Sequence, residues 1–136
     1  LQWIPSGAAG LASFLPALQR STAVDNRALP WAHAAVALGE AVWANPAGAG
    51  ESVRAAYHLA CARLDLPCAA APMPPYNLLV TREALLLVPR TQEKWADVSI
   101  NSLAWAGSLF VRDRAQLEAL RAHGPLAVLA AVGRRR

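Results

Sequence analysis

Residues Ser99 to Arg112 (Ser-Ile-Asn-Ser-Leu-Ala-Trp-Ala-Gly-Ser-Leu-Phe-Val-Arg) hold the densest set of groups able to do chemistry in this chain. Hydroxyl and amide groups open the run at Ser99, Asn101 and Ser102. Small residues follow at Ala106, Gly107 and Ser108, and the cation Arg112 closes it. Small residues in series let another group come close to the backbone. Such a run is either plain core or one wall of a site for a phosphorylated ligand. Other reactive side chains are sparse. His58 and Cys61 stand three apart on a predicted helix and share a face, but a metal ion would need two further ligands from Cys68, His33 or His123. The expected reading is therefore a small buried thiol beside a polar ring, with no metal. Arg90 is either a second phosphate contact or a solvated arginine at a hairpin end, and the second is preferred. Trp31, Trp43, Trp95 and Trp105 could stack an adenine, but each is more readily a core or surface anchor. The chain has no phosphate-binding Gly-rich loop, no dinucleotide fingerprint, no paired acidic motif and no Gly-x-Ser-x-Gly elbow.

Composition bounds what can position these groups. The 136 residues are 55% hydrophobic and only 16% charged, which describes one folded, well-buried domain rather than a disordered chain. No apolar run reaches the roughly 18–20 residues that span a bilayer, and no secretory leader is present, so no membrane partner is expected. The net charge of +4 is weak grounds for nucleic-acid binding, because Arg134, Arg135 and Arg136 supply most of it. Two cysteines make no disulfide framework, and a reducing cytoplasm is expected. The chain opens on Leu1 rather than methionine, so it reads as a processed, engineered or partial chain.

The coarse element reading is as follows. Leu1–Pro5 is a short strand, Ser6–Leu11 is a loop, and residues 12–30 are mostly loop. Trp31–Asn45 reads as helix, ending at Asn45-Pro46. Ala47–Gly50 is a turn, and Glu51–Leu64 is the clearest helix, with Val53, Ala56, Tyr57, Ala60, Cys61 and Leu64 on one face. A proline-rich linker from Pro67 to Pro75 leads into a hairpin, Tyr76–Thr81 with Ala84–Pro89. The second strand is apolar on both faces and belongs inside a covered sheet. Thr91–Val98 is a polar loop. Asp113 caps a helix over Arg114–His123 with Gln116 three residues on, and Gly124 ends it. Leu126–Val132 is a last short helix. The predicted class is α+β, an antiparallel sheet with packed helices, and it wants more strands than the three visible here. An incomplete part of a larger domain is the expected explanation, with residues 1–133 as that part and 134–136 as a basic tail.

These residues carry a resemblance. Tyr76-Asn77-Leu78-Leu79-Val80-Thr81, Pro89-Arg90, Ala106-Gly107-Ser108-Leu109-Phe110-Val111-Arg112, Leu117-Glu118-Ala119-Leu120 with Gly124-Pro125-Leu126, and Leu29-Pro30-Trp31-Ala32-His33 follow one another as in the C-terminal part of the ATP adenylyltransferase family. This family is also called diadenosine tetraphosphate phosphorylase and belongs to the histidine triad superfamily, so a histidine-triad-like fold is implied. The resemblance covers about residues 1–132.

The resemblance reinterprets the N-terminus. Leu1-Gln2-Trp3 is similar to the end of the family's His-x-His-x-Gln signature, so the nucleophilic histidine is expected just upstream of Leu1. In the family that histidine takes a nucleotidyl group from the dinucleoside polyphosphate, and inorganic phosphate then intercepts it. Gln2 would be the catalytic residue retained here. Ser99, Ile100, Asn101, Ser108 and Arg112 are implied as nucleotide-binding residues. Relatives often carry lysine where this chain has Arg112, and Ser108 is smaller than the methionine of some relatives. His33, His58 and His123 stand outside the signature. The implied partners are a nucleotide substrate, inorganic phosphate and the missing N-terminal portion of the same protein. No cofactor is implied beyond a divalent cation carried with the nucleotide. The competing reading is a non-catalytic nucleotide-binding or structural domain.

Overall fold

In the computed structural model, which describes residues 2–3, 29–68 and 72–136, the elements run β1 (Gln2–Trp3), β2 (Ala34–Ala37), α1 (Glu40–Ala44), α2 (Pro46–Arg63), β3 (Tyr76–Val80), β4 (Ala84–Pro89), β5 (Lys94–Trp95), β6 (Val98–Ser99), α3 (Ser102–Trp105), β7 (Leu109–Phe110), α4 (Arg114–His123) and α5 (Pro125–Val132). The class is α+β, as the sequence predicts. The readings of Ser6–Leu11 as loop and of residues 12–28 as mostly loop lie outside the described residues.

β4 organises the sheet. All six of its residues are buried. Side chains alternate across a strand, so Leu86 and Val88 enter one core cluster while Leu85 and Leu87 enter another. A strand so apolar needs partners on both edges and cover on both faces. β3 pairs with one edge, antiparallel, Leu78 opposite Leu87. β2 pairs with the other, also antiparallel, Ala35 opposite Leu86.

β2 corrects the expected helix over Trp31–Asn45. Alanine is a good helix former, but the preference amounts to less than about 1 kcal/mol per residue, and pairing to an open apolar edge outweighs it. The missing neighbour of β4 therefore lay inside the stretch that reads as helix. Only Glu40–Ala44 of that stretch is helical.

α2 covers one face of the sheet with Ala56, Ala60 and Cys61. It begins at Pro46, four residues earlier in the chain than the expected turn ends, because proline suits the first helical position. It ends in a Schellman motif. Leu66 N–H donates to Cys61 O at 3.0 Å, Asp65 N–H donates to Ala62 O at 3.3 Å, and Asp65 takes a left-handed φ of 51°. This reversal returns the chain to Cys61, and Cys61 and Cys68 form a disulfide with Cα atoms 6.1 Å apart. The expected free thiol is thus corrected. Two cysteines seven apart carry no spacing signal, and only the turn at Asp65 makes them neighbours.

The other face is covered by α3, α4 and α5 through Trp105, Leu120, Val128, Leu129 and Val132. Asp113 caps α4 as predicted, its carboxylate accepting from Gln116 N–H at 2.9 Å. That bond, helped by the neighbouring Arg112, holds the Asp113 carboxyl below its ordinary range. Gly124, at φ 87°, ends the helix in a conformation that suits glycine.

The predicted polar loop over Thr91–Val98 is instead partly a hairpin of β5 and β6, Trp95 opposite Val98. Its two turn residues, Ala96 at φ 45° and Asp97 at φ 62°, both take the left-handed conformation of a tight hairpin turn. Neither is the glycine or asparagine that usually announces one.

Gly133 packs where no side chain fits. A Cβ there would lie 2.8 Å from Trp31 Cβ and 3.2 Å from Leu129 O. Gly133→Ala is expected to cost about 1–3 kcal/mol by overpacking, read as a lower midpoint in chemical denaturation. A wild-type midpoint would show that Trp31 yields at no cost.

Candidate functional site

The segment from Ser99 to Arg112 folds as the end of β6, a short helix and β7. Asn101 is the N-cap of α3, its side-chain oxygen accepting from Leu103 N–H at 2.9 Å. Its amide N–H groups make no hydrogen bond among the described residues. One helical turn on, Trp105 is buried and donates from Nε1 to Asn77 Oδ1 at 2.9 Å. Asn77 is buried too, and donates to Ser102 Oγ at 3.2 Å. Asn77 thus locks α3 to β3. The sequence reading gave it no role, although an asparagine in an otherwise apolar strand is the signal that could have found it.

Past α3, Ser108 N–H donates to Leu103 O at 2.8 Å, which ties the start of β7 to the helix. Burial then alternates with the strand period. Leu109 and Val111 are in the core, while Phe110 and Arg112 are exposed and Ser108 is half-buried. Ser108, Phe110 and Arg112 therefore share the outward face. Leu103 is 51% exposed on α3. The short helix turns it away from the core that Ala104 and Trp105 fill.

β1 pairs antiparallel with β7, Gln2 opposite Phe110 and Trp3 opposite Leu109. The backbone of Gln2 is therefore brought beside Ser108–Arg112 by a ladder that joins residues more than a hundred apart in sequence. Other expected site residues are not brought to this ladder. Ser99 is exposed on β6, opposite Lys94. Ile100 has its side chain fully buried in the core and its carbonyl engaged by Arg90 Nη1 at 2.7 Å, which leaves it no side-chain contact to offer a ligand.

That bond settles the position of Arg90. It is a half-buried brace under the Ser99–Asn101 backbone, not the solvated hairpin-end side chain expected, and its Nε is buried without a partner. Arg112 is different. Its side chain is 77% exposed and, among the described residues, meets only Asp113, at 3.4 Å, across a solvated contact that holds it weakly. A guanidinium in that state keeps nearly all its donors for a ligand.

The tryptophans divide. Trp31 and Trp105 are buried and packed edge to face, centroids 5.2 Å apart. Trp43 donates to Arg82 O at 2.7 Å, and Trp95 lies 5.0 Å from the His123 ring. His58 packs against Tyr57, whose hydroxyl donates to Tyr76. That hydrogen bond, more than burial, pushes the Tyr57 hydroxyl up to about 12. The disulfide takes Cys61 and Cys68 out of any metal site with His58. Among the described residues no three metal-ligating side chains come together, and no helix is long and apolar enough to cross a membrane.

A family model, that of the ATP adenylyltransferase C-terminal domain, matches residues 27–135. The chain belongs to this family. The match takes in β2 through α5 and all of the Ser99–Arg112 segment, so the adenylyltransferase C-terminal domain contributes that segment as a unit. Gln2 lies before the matched span. No curated protein and no solved structure matches the chain.

Proposed function

We propose that the chain is the C-terminal portion, over residues 1–133, of a nucleotidyltransferase that cleaves diadenosine tetraphosphate with inorganic phosphate, giving ATP and ADP. The nucleophile is a histidine directly before Leu1. The observation that carries this reading is the register of β1 on β7. Gln2 stands opposite Phe110, two residues before Arg112, which supports a nucleophile close to Gln2 in sequence working beside Arg112. Such a nucleophile and the exposed Arg112 guanidinium would share one reacting phosphate.

The chemistry proceeds in two transfers. The histidine ring nitrogen attacks the α-phosphorus, its bond to the bridging oxygen breaks, and ATP leaves. Inorganic phosphate then attacks the nucleotidyl-histidine phosphorus and releases ADP with the histidine restored. Splitting one hard displacement into two is what a covalent intermediate achieves. Gln2 donates its amide to a non-bridging oxygen as charge grows there. Arg112 spans phosphate oxygens with its planar fork, better suited to that geometry than a lysine. Asn101 offers its amide N–H groups and Ser99 and Ser108 their hydroxyls. Ile100, its N–H given to Glu93 O and its carbonyl held by Arg90, positions Asn101 rather than contacting the ligand.

Two substitutions in the full-length protein test the binding roles. Arg112→Ala is expected to weaken nucleotide binding about tenfold, the loss typical of a hydrogen bond to a charged group, with melting unchanged because its ion pair is exposed. Asn101→Ala is expected to weaken binding by a similar factor and to lower stability by about 1 kcal/mol through the lost cap. Calorimetric titration with ATP reads both. Unchanged affinity in the two variants would leave these residues with structural roles only and favour a non-catalytic domain.

A further inference from the structure

The basic C-terminus takes no part in that site, yet it is not loose. Arg134 N–H donates to Pro89 O at 2.9 Å and its carbonyl accepts from Ala32 N–H at 2.7 Å, so its backbone is clamped between the end of β4 and the approach to β2. Its side chain reaches the far end of α2, where Nη2 donates to Leu64 O at 2.7 Å. Arg63, from the last turn of α2, donates from Nη1 to Ala35 O at 2.9 Å. Between these anchors lies a cavity of about 170 Å³, lined by His33, Arg63, Asp65, Arg134 and Arg136 among others. No residue of the Ser99–Arg112 segment lines it.

We infer that this cavity is a second anion site, one that takes a single phosphate group. Arg63, Arg134 and Arg136 line it beside one acidic residue, Asp65. Arg63 and Arg134 are each pinned by one bond to a backbone carbonyl. They form no ion pair among the described residues. A guanidinium carries five N–H donors, so each keeps four for a ligand in an orientation already fixed. The carbonyl end of α2 would repel an anion, but Arg134 already covers Leu64 O there. Size selects the ligand. Sites for drug-sized molecules occupy roughly 300–1,000 Å³, so this cavity suits inorganic phosphate or the phosphoryl end of a nucleotide rather than a whole nucleotide.

Amide NMR shifts of the chain, titrated at constant ionic strength with inorganic phosphate and separately with AMP, test this. Saturable shifts at Ala32, His33 and Asp65 are expected with at least one of the two. Equal affinities identify a free phosphate as the occupant, and a tighter AMP identifies a nucleotide phosphoryl group. Arg63→Gln should weaken the response about tenfold. Asp65→Asn should tighten it about threefold by removing the like charge, and asparagine tolerates the left-handed backbone at that position. The gain in Asp65→Asn separates loss of a ligand contact from loss of fold. Arg112→Ala should leave these shifts unchanged, which keeps this site distinct from the one proposed above. Shifts that fail to saturate with both probes, or an affinity that neither Arg63→Gln nor Asp65→Asn moves, would overturn the inference.

Discussion

The 136-residue chain by itself is expected to leave diadenosine tetraphosphate intact, and a full-length parent is expected to turn it over. In the parent, alanine in place of the histidine proposed directly before Leu1 is expected to lower kcat by about ten-thousandfold or more, the usual scale for removing a covalent nucleophile. The reason is chemical. Among the described residues, His58 packs on Tyr57, His123 lies against Trp95, and His33 lines the basic cavity on the α2 side. None stands on β1 or β7, beside which Arg112 is proposed to meet a reacting phosphate. Mass spectrometry gives a second reading, because the nucleotidyl-histidine should add one AMP to the parent when phosphate is withheld, and the alanine variant should gain nothing. Turnover by the isolated chain, or a parent in which another residue precedes Leu1, would sink the placement of the nucleophile.

Trp105→Ala is expected to cost about 3–5 kcal/mol, the range for truncating a buried tryptophan or phenylalanine. Trp105 is 1% exposed and packs edge to face on Trp31 beside Gly133. Its loss opens a cavity and strands the Asn77 oxygen, a buried acceptor that then has no indole partner. Against the roughly 5–15 kcal/mol that holds a domain together, this is a large fraction. Trp105→Phe separates the two contributions. It keeps most of the ring and removes the N–H, so it should cost about 1–3 kcal/mol for the unpaired acceptor. Urea denaturation of the three proteins measures both, and a Trp105→Phe midpoint equal to wild type would mean that the Asn77 oxygen needs no partner. The result bears on the site, because Trp105 and Asn101 sit at opposite ends of α3 and the tryptophan fixes where that helix lies.

Local patterns were legible where one residue dictates its own conformation. Asp113 with Gln116 and Gly124 bounded α4, and Pro125 started α5 at its first position. The hairpin of β3 and β4 was readable because β4 is apolar without interruption. Legibility failed wherever a distant partner made the choice. Ala34–Ala37 has no strand signal of its own and became β2 because β4 had an open edge. Cys61 met Cys68 through a left-handed aspartate, and Ala96-Asp97 made a hairpin turn without a glycine. In the candidate site, the outward Arg112 followed from its place as the cation closing an apolar run. The inward Ile100, the outward Leu103 and the Asn77 brace did not.

What the sequence determined by itself is the class of fold, the family likeness, and the polar and cationic groups of the Ser99–Arg112 segment, since composition, periodicity and motif order are local properties. Only the tertiary structure decided that Ile100 turns inward, that Leu103 turns outward and which strand borders the segment. It also decided that Arg63 and Arg134 line one cavity. Those outcomes depend on pairings and packing between segments far apart in the chain, where burial and hydrogen-bond satisfaction outweigh the fraction of a kcal/mol that local preference supplies.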